Sequence, residues 1–150
     1  MMLIRRRLLQ VLDPYLCNTQ FSFRPARSTS HAIYLTRRMQ DLCEQVASNL
    51  VITLLDWEKA FDRLQHHRLY VALERLGVHQ HFIDVIRDCY SQPCFYVEDE
   101  FGVSGRKKHS AGIRQGCPLS SFLFVLVMSV VDRDVSLNLD RRTLNSRLEV

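Results

Sequence analysis

The sequence predicts an α/β domain of the α+β kind, in which helices pack on a small sheet. Apolar residues recur at helical spacing in several stretches of the chain. A short apolar run at 50–55, LVITLL, has the β-branched composition of a strand buried on both faces. With 150 residues and 47% hydrophobic content, the chain is expected to form one domain with a buried core.

The first half of the chain is predicted to contain two helices joined by a loop. Met1 to Leu12 carries leucines at helical spacing among three arginines, and Asp13-Pro14 ends this helix. The segment at 20–29, QFSFRPARST, is predicted to be the loop. The second helix is expected from His31 to Val46, where apolar residues again recur at helical spacing.

Two more helices are predicted after the strand at Leu50 to Leu55. One lies around Leu69 to Leu76 and is closed by Gly77. The other lies around Phe82 to Tyr90 and ends before Pro93.

The remainder of the chain is predicted to begin with a hairpin. Its strands are Phe95 to Val97 and Phe101 to Val103, on either side of an acidic turn. Lys107 to Gly116 is predicted to be a basic loop. We assign residues 1–136 to the domain and 137–150 to a poorly ordered tail, because apolar density falls near this boundary.

Composition restricts the function classes. A net charge of +4 favours binding to a polyanion but does not establish it. Five cysteines without a CxxC pair, and the lack of a signal-peptide pattern, indicate a reducing intracellular setting, the cytoplasm or the nucleus. The longest apolar run is shorter than the ~20 residues that span a bilayer, so no membrane partner is expected.

Asp56 is the first candidate for a functional residue. It follows the predicted strand, and the carboxyl end of a buried strand is where α/β folds place ligand-binding side chains. An aspartate in this position is also common as a turn or cap residue. The position of Asp56 alone therefore leaves both interpretations open.

Three blocks of sequence, in order along the chain, carry a family resemblance. They are QFSFRPARST at 20–29, LLDWEKAFDRL at 54–64 and AGIRQGCPLSSFLF at 111–124. Together they resemble the reverse transcriptases of non-LTR, LINE-type retrotransposons. The resemblance implies part of the fingers and palm of a right-hand polymerase, an RNA-directed DNA polymerase. It also implies an RNA template, a DNA primer and a dNTP as partners, with Mg²⁺ as cofactor.

A group II intron-type reverse transcriptase is the alternative within this resemblance. Group II intron proteins share the patterns of the first and third blocks. The second block, DWEKAFD, is closer to the non-LTR version.

The first block resembles the family's fingers motif, with Ser22 where glycine is usual. Only glycine adopts positive φ freely, so Ser22 is expected to affect the turn. The resemblance implies that Arg24 and Arg27 contact the template or its backbone, and guanidinium groups bind phosphates bidentately. A structural salt bridge of Arg24 within the fingers is an equally open interpretation.

The second block resembles polymerase motif A. The resemblance implies that Asp56 is the catalytic aspartate and binds Mg²⁺, a hard cation that prefers oxygen ligands. Phe61 lies where the family has an aromatic gate against the nucleotide sugar, although a core aromatic is the alternative. Asp62 is expected to anchor the backbone by hydrogen bonds.

The third block resembles motif B. The resemblance implies that Gln115 and Gly116 lie against the incoming nucleotide and the template, with Pro118 opening the supporting helix. Gly112 and Gly116 are expected to let the backbone approach nucleic acid closely. Cys117 is interpreted as a small filler.

The family has two further features that are not found in this chain. One is an aromatic-Ala-Asp-Asp hairpin after motif B, whereas the sequence contains no Asp-Asp pair, and Asp132 and Asp134 lie in the unrelated context VVDRDVS. The other is a basic fingers segment before the region that matches Arg5 to Arg7. We therefore expect the chain to be inactive in isolation, and a non-catalytic remnant that binds nucleic acid is the alternative.

Overall fold

A computed structural model describes the backbone of residues 1–91, 94–108 and 111–148. Within these ranges, the side chains of residues 95, 107, 108 and 140–148 are not described. The elements are α1 (Met2–Leu12), a 3-10 turn (Asp13–Tyr15), α2 (Thr29–Gln45), α3 (Ala60–Arg63), α4 (His66–Arg75), α5 (Gln80–Ser91), β1 (Cys94–Phe95), β2 (Glu98–Asp99), β3 (Gly102–Val103), β4 (Lys107–Lys108) and α6 (Pro118–Leu148).

Four helices build the core. Helices α1 and α4 pack on α6, and α5 packs on α4. In α4 and α5 the buried residues are spaced by three or four positions, so one stripe of each helix faces the core. The largest fully buried side chains are those of Phe122, Leu69, Leu73, Ile83, Ile86, Leu119, Leu123, Leu126 and Val125.

The predicted helices are confirmed. Helix α4 ends in a Schellman motif, in which Val78 N–H donates to the Leu73 carbonyl at 3.0 Å and Gly77 N–H donates to the Glu74 carbonyl at 2.9 Å. Gly77 adopts φ +73°, the left-handed conformation for which the sequence predicted a glycine stop. Pro93, expected just after α5, lies outside the described residues.

Helix α2 forms as predicted but has no buried residue. Its apolar side chains at Ile33, Leu35, Met39 and Leu42 are each about half exposed or more. Its hydrophobic spacing therefore predicts the helix correctly without any packing on the described core.

The strand predicted at Leu50 to Leu55 is wrong. Residues 48–57 have no regular secondary structure, and Val51 and Leu54 are 88% and 89% exposed. A strand needs a neighbour to satisfy its backbone groups, and all the described strands lie within residues 94–108. The mixed α/β class is nevertheless confirmed, with the core made by helices and the sheets small.

A hairpin forms in the predicted region, but its predicted residue assignments are wrong: Glu98 and Asp99, expected in the turn, form β2, and Phe101, expected in a strand, lies in the turn. Strands β2 and β3 are antiparallel and pair Asp99 with Gly102, so Glu100 and Phe101 form the turn. The Asp99 carboxylate accepts a hydrogen bond from Phe101 N–H at 2.9 Å. The first two residues of the predicted basic loop instead form β4, which pairs antiparallel with β1.

Helix α6 begins at Pro118, as predicted, and continues past the expected boundary at residue 137 to Leu148. Side chains beyond Leu139 lie outside the described residues, so poor order of the tail stays a prediction. Among the described helices, none combines the length and apolarity that crossing a membrane requires.

Candidate functional site

Motifs A and B lie side by side, joined through their backbones. Ile113 N–H donates to the Phe61 carbonyl at 2.9 Å, and Gly112 N–H donates to the Leu64 carbonyl at 2.8 Å. These bonds join the short helix α3 to the loop that precedes α6. The structure therefore brings together two blocks that are about fifty residues apart in sequence.

Gln115 and Gly116 form the exposed tip of the motif B loop. Cys117 N–H donates to the Arg114 carbonyl at 3.4 Å, and Gly116 has φ +81° at the third position of this turn, as in type II turns. A Cβ added at Gly116 would meet nothing within 4 Å. Glycine is therefore needed here for backbone conformation, and the space beside it is open to a ligand.

The side chains of the two motifs also meet. Gln115 Nε2 donates to Asp62 Oδ1 at 3.4 Å. Asp62 was expected to anchor backbone, whereas its partner here is a side chain of motif B. The contact orients the Gln115 amide from the motif A side.

Asp56 is exposed and makes no hydrogen bond or ion pair with the described residues. Within the described part of the chain, no group of three or more Asp, Glu, His or Cys residues could hold a metal ion. Mg²⁺ demands near-octahedral oxygen coordination. Asp56 by itself does not provide this, so the residues described do not fit a complete Mg²⁺ site.

Phe61 is half-buried and packs against the core. Its ring stacks on Phe124 of α6, with centroids 4.9 Å apart and planes at 22°. This contact favours the core-aromatic interpretation over a free gate. A contact of Phe61 with a nucleotide sugar stays a prediction.

Arg24 is buried, and its guanidinium group is saturated. It donates to both carboxylate oxygens and the carbonyl of Asp13 at 2.8, 3.1 and 3.0 Å, to the Cys17 carbonyl at 2.7 Å and to the Gln20 carbonyl at 3.4 Å. A guanidinium group has five N–H donors, so none remains for a phosphate. The geometry favours the structural salt bridge over a contact with nucleic acid.

The ion pair with Arg24 also shifts the pKa of the Asp13 carboxyl group. The hydrogen bond from Arg24 lowers the pKa of Asp13 below its ordinary value, outweighing the opposing effect of burial. The ion pair therefore fixes the loop at 20–29 to the end of α1.

Arg27 is more accessible than Arg24. One of its nitrogens donates to the Asn18 carbonyl, and its guanidinium lies 5.8 Å from the centroid of the Phe21 ring. No other hydrogen bond of Arg27 occurs within the described residues, so donors remain for a phosphate. Its contact with nucleic acid stays a prediction.

The serine in the fingers motif does not strain the turn. The left-handed conformations in this loop fall at Phe23, with φ +57°, and at Ala26, with φ +55°. Ser22 is not among the residues with positive φ. The expected effect of replacing the usual glycine is therefore wrong.

Cys117 precedes the first turn of α6. Burial alone would raise the pKa of its thiol, but hydrogen bonds from the backbone and hydroxyl of Ser120 and from the Leu119 backbone lower it overall. Cys117 is half-buried among core residues, as expected for a small filler.

Three residues of the site were not predicted: His66 and Tyr90, which lie beside motif B, and Ser120, which lies within it. His66 Nε2 lies 2.7 Å from the Gly112 carbonyl oxygen. The His66 and Tyr90 rings are 5.1 Å apart, and the Tyr90 hydroxyl lies 2.9 Å from Ser120 Oγ. Histidine, tyrosine and serine are common in helices, so nothing in the sequence singles out these positions.

A cavity of about 520 Å³ lies elsewhere, between α1 and the turn from α4 to α5. Leu8, Leu12 and Phe82 line it, and no residue of motif A or motif B does. The cavity is therefore not part of the candidate site.

Comparison with known proteins gives an independent indication of the family. The family described as "Reverse transcriptase (RNA-dependent DNA polymerase)" matches residues 2–145. A protein of Xenopus laevis, the transposon TX1 uncharacterized 149 kDa protein, is 28% identical over 125 residues, covering 83% of this chain and 10% of that protein.

A second relative comes from Drosophila melanogaster, the retrovirus-related Pol polyprotein from type-2 retrotransposable element R2DM. It is 35% identical over 77 residues, covering 51% of this chain and 7% of that protein. The chain thus spans a tenth or less of the length of these relatives.

Proposed function

Because the chain belongs to the reverse transcriptase family, we propose that it forms the part of an RNA-directed DNA polymerase that presents motifs A and B to the template and the incoming nucleotide. The names of both relatives place them in transposable elements, in agreement with the predicted retrotransposon family. We further propose that the chain does not extend a primer by itself.

The observation that carries the proposal is the contact between the two motifs. Phe61 and Leu64 hold Ile113 and Gly112 through backbone hydrogen bonds of 2.9 and 2.8 Å. A turn held at its base keeps its tip in one orientation before a ligand arrives, which lowers the entropy cost of binding. The exposed tip then contacts the nucleotide or template strand through Gln115 and the open face of Gly116.

Phosphate contacts come from arginines whose donors are not already used. Arg27 fits this requirement, whereas the five donors of Arg24 are occupied by Asp13, Cys17 and Gln20. Such contacts provide affinity without sequence preference, as a polymerase that copies any template requires.

No catalytic step is assigned to the chain. Asp56 alone does not complete a Mg²⁺ site, and the sequence contains no Asp-Asp pair. A divalent metal held by Asp56 and further carboxylates would supply activation of the primer hydroxyl and neutralisation of developing charge. We therefore assign nucleic-acid binding, but not catalysis, to this chain.

A binding assay with an RNA–DNA hybrid tests the proposal. Affinity of the purified chain should fall linearly with the logarithm of salt concentration. Arg27→Met should weaken binding and reduce the salt slope by about 1. Arg75→Met is the matched control, because Asp134 already occupies that guanidinium in an ion pair outside the motifs. Binding that does not respond to salt would contradict the proposal.

A primer-extension assay tests the proposal that the chain does not extend a primer by itself. The purified chain, supplied with template, primer, dNTPs and Mg²⁺, should produce no template-dependent product. Synthesis that Asp56→Ala abolishes would overturn the proposed inactivity.

A non-catalytic nucleic-acid-binding remnant is the second candidate, favoured by the partly exposed guanidinium of Arg27. The two candidates differ in the role of the motif B tip, because only a retained polymerase site requires it. Gln115→Ala should lower affinity for a primer-template with its matching dNTP under the first proposal. It should leave hybrid binding unchanged under the second.

A further inference from the structure

The motif B loop is held at its start by a side chain that belongs to neither motif. His66, the first residue of α4, places Nε2 at 2.7 Å from the carbonyl oxygen of Gly112. A carbonyl oxygen carries no proton, so His66 must donate this hydrogen bond. The contact therefore requires a histidine protonated at Nε2.

Both backbone groups of Gly112 are fixed by the same short segment. Its N–H donates to the Leu64 carbonyl at 2.8 Å, while its carbonyl accepts from His66, two residues further along. Gly112 adopts φ +89° and is buried. The direction in which the chain enters the turn at Gln115 is therefore set here.

The His66 ring is itself supported from two other helices. Tyr90 of α5, 3% exposed, lies against it with ring centroids 5.1 Å apart. The Tyr90 hydroxyl hydrogen-bonds to the fully buried Ser120 in the first turn of α6. Side chains locked by such packing hold their partners more closely than side chains in solvent.

We propose that His66 is a positioning residue for nucleotide and template binding, acting through Gly112 on the turn at Gln115 and Gly116. This inference rests on the proposed function, because the turn contacts substrate only if the chain presents a polymerase site. His66 touches no substrate itself. Its effect is to keep the motif B loop in one orientation.

Two variants separate the hydrogen bond from the packing of the ring. His66→Gln retains an N–H donor at a similar distance from the backbone, whereas His66→Met fills similar space without a donor. His67→Met is the matched control, since His67 is the next residue of α4 and is exposed.

Amide hydrogen exchange by NMR is the first measurement. In His66→Met, exchange of the Gly112 and Ile113 amides should accelerate about fivefold, the effect of losing roughly one net hydrogen bond. Amides in the core of α4, such as Leu73, should be unchanged. His66→Gln should restore protection, and His67→Met should not alter it.

Hybrid binding in the presence of the matching dNTP is the second measurement. His66→Met should weaken binding about fivefold, and His66→Gln should recover most of the affinity. If wild-type chain binds no hybrid, the proposed function fails while the exchange experiment still decides whether His66 holds the loop.

Three results would overturn the inference. The first is unchanged exchange at Gly112 in His66→Met. The second is a glutamine variant that behaves like the methionine variant, which would show that the donor is not what matters. The third is a global loss of folding in His66→Met but not in His66→Gln, which would make the bond a requirement of the whole fold.

Discussion

Replacing Arg24 with methionine separates a structural arginine from one that contacts nucleic acid. The Arg24 side chain is 4% exposed, and that of its partner Asp13 is 33% exposed. Breaking a fully buried ion pair from one side costs about 3–5 kcal/mol. Water can reach the Asp13 carboxylate after the change, so we expect a loss of about 2–3 kcal/mol in the free energy of unfolding.

The pH dependence of this loss has a definite sign. Because Arg24 lowers the pKa of Asp13 in the folded state, the pair stabilises the fold fully above the ordinary pKa of 3.8. That stabilisation is lost as pH falls through the lower, folded-state value. The difference between wild type and Arg24→Met should therefore be constant near neutral pH and narrow as pH falls below the ordinary pKa of 3.8.

Urea denaturation followed by far-UV circular dichroism measures both effects. With a slope of about 1.5 kcal/mol per molar urea, the midpoint should fall by roughly 1.3–2 M near neutral pH. Arg27→Met is the control, because Arg27 is more exposed and lacks an ion pair within the described residues. If Arg24→Met kept wild-type stability and lost only affinity for an RNA–DNA hybrid, the structural assignment of Arg24 would be refuted.

Three further changes test packing and exposure. Ser120→Ala leaves the buried Tyr90 hydroxyl without its partner and should lower the free energy of unfolding by about 1–3 kcal/mol. Adding Tyr90→Phe to the same chain should recover part of this loss, as measured by urea denaturation in a double-mutant cycle. Arg75→Met removes an exposed ion pair with Asp134, so it should lower the melting temperature slightly at low salt and not at high salt. Leu54→Lys, at a site 89% exposed, should change the free energy of unfolding by less than about 0.5 kcal/mol; a large loss would indicate the buried strand that the sequence predicts.

Local signals allow much of the fold to be predicted from sequence. Helix α4 is specified by apolar spacing and by Gly77, and α6 by Pro118 followed by an apolar run. Each of these signals lies within the element that it describes. The run at Leu50 to Leu55 differs, because its composition favours a strand only where another strand pairs with it.

The candidate site is predictable to a similar degree. The resemblance identifies both motifs, and the structure joins them at Phe61 and Ile113. The resemblance does not identify the partners of Arg24 or the contact of His66 with Gly112, which only the structure shows. Those depend on the path of the backbone between distant segments, which no spacing within one segment reveals.

The motif B turn and Asp56 of motif A differ in how many contacts hold them in place. Gly112, Ile113 and Gln115 form hydrogen bonds with α3, with Leu64 just after it and with α4, so the motif B turn is tied to the motif A side. Asp56 lies in the irregular segment at 48–57 and has no partner within the described residues. A metal ligand must be held within about 0.5 Å of its productive position. Hydrogen bonds therefore hold the motif B turn in place, whereas the proposed metal-binding role of Asp56 requires additional contacts that fix it beside this turn.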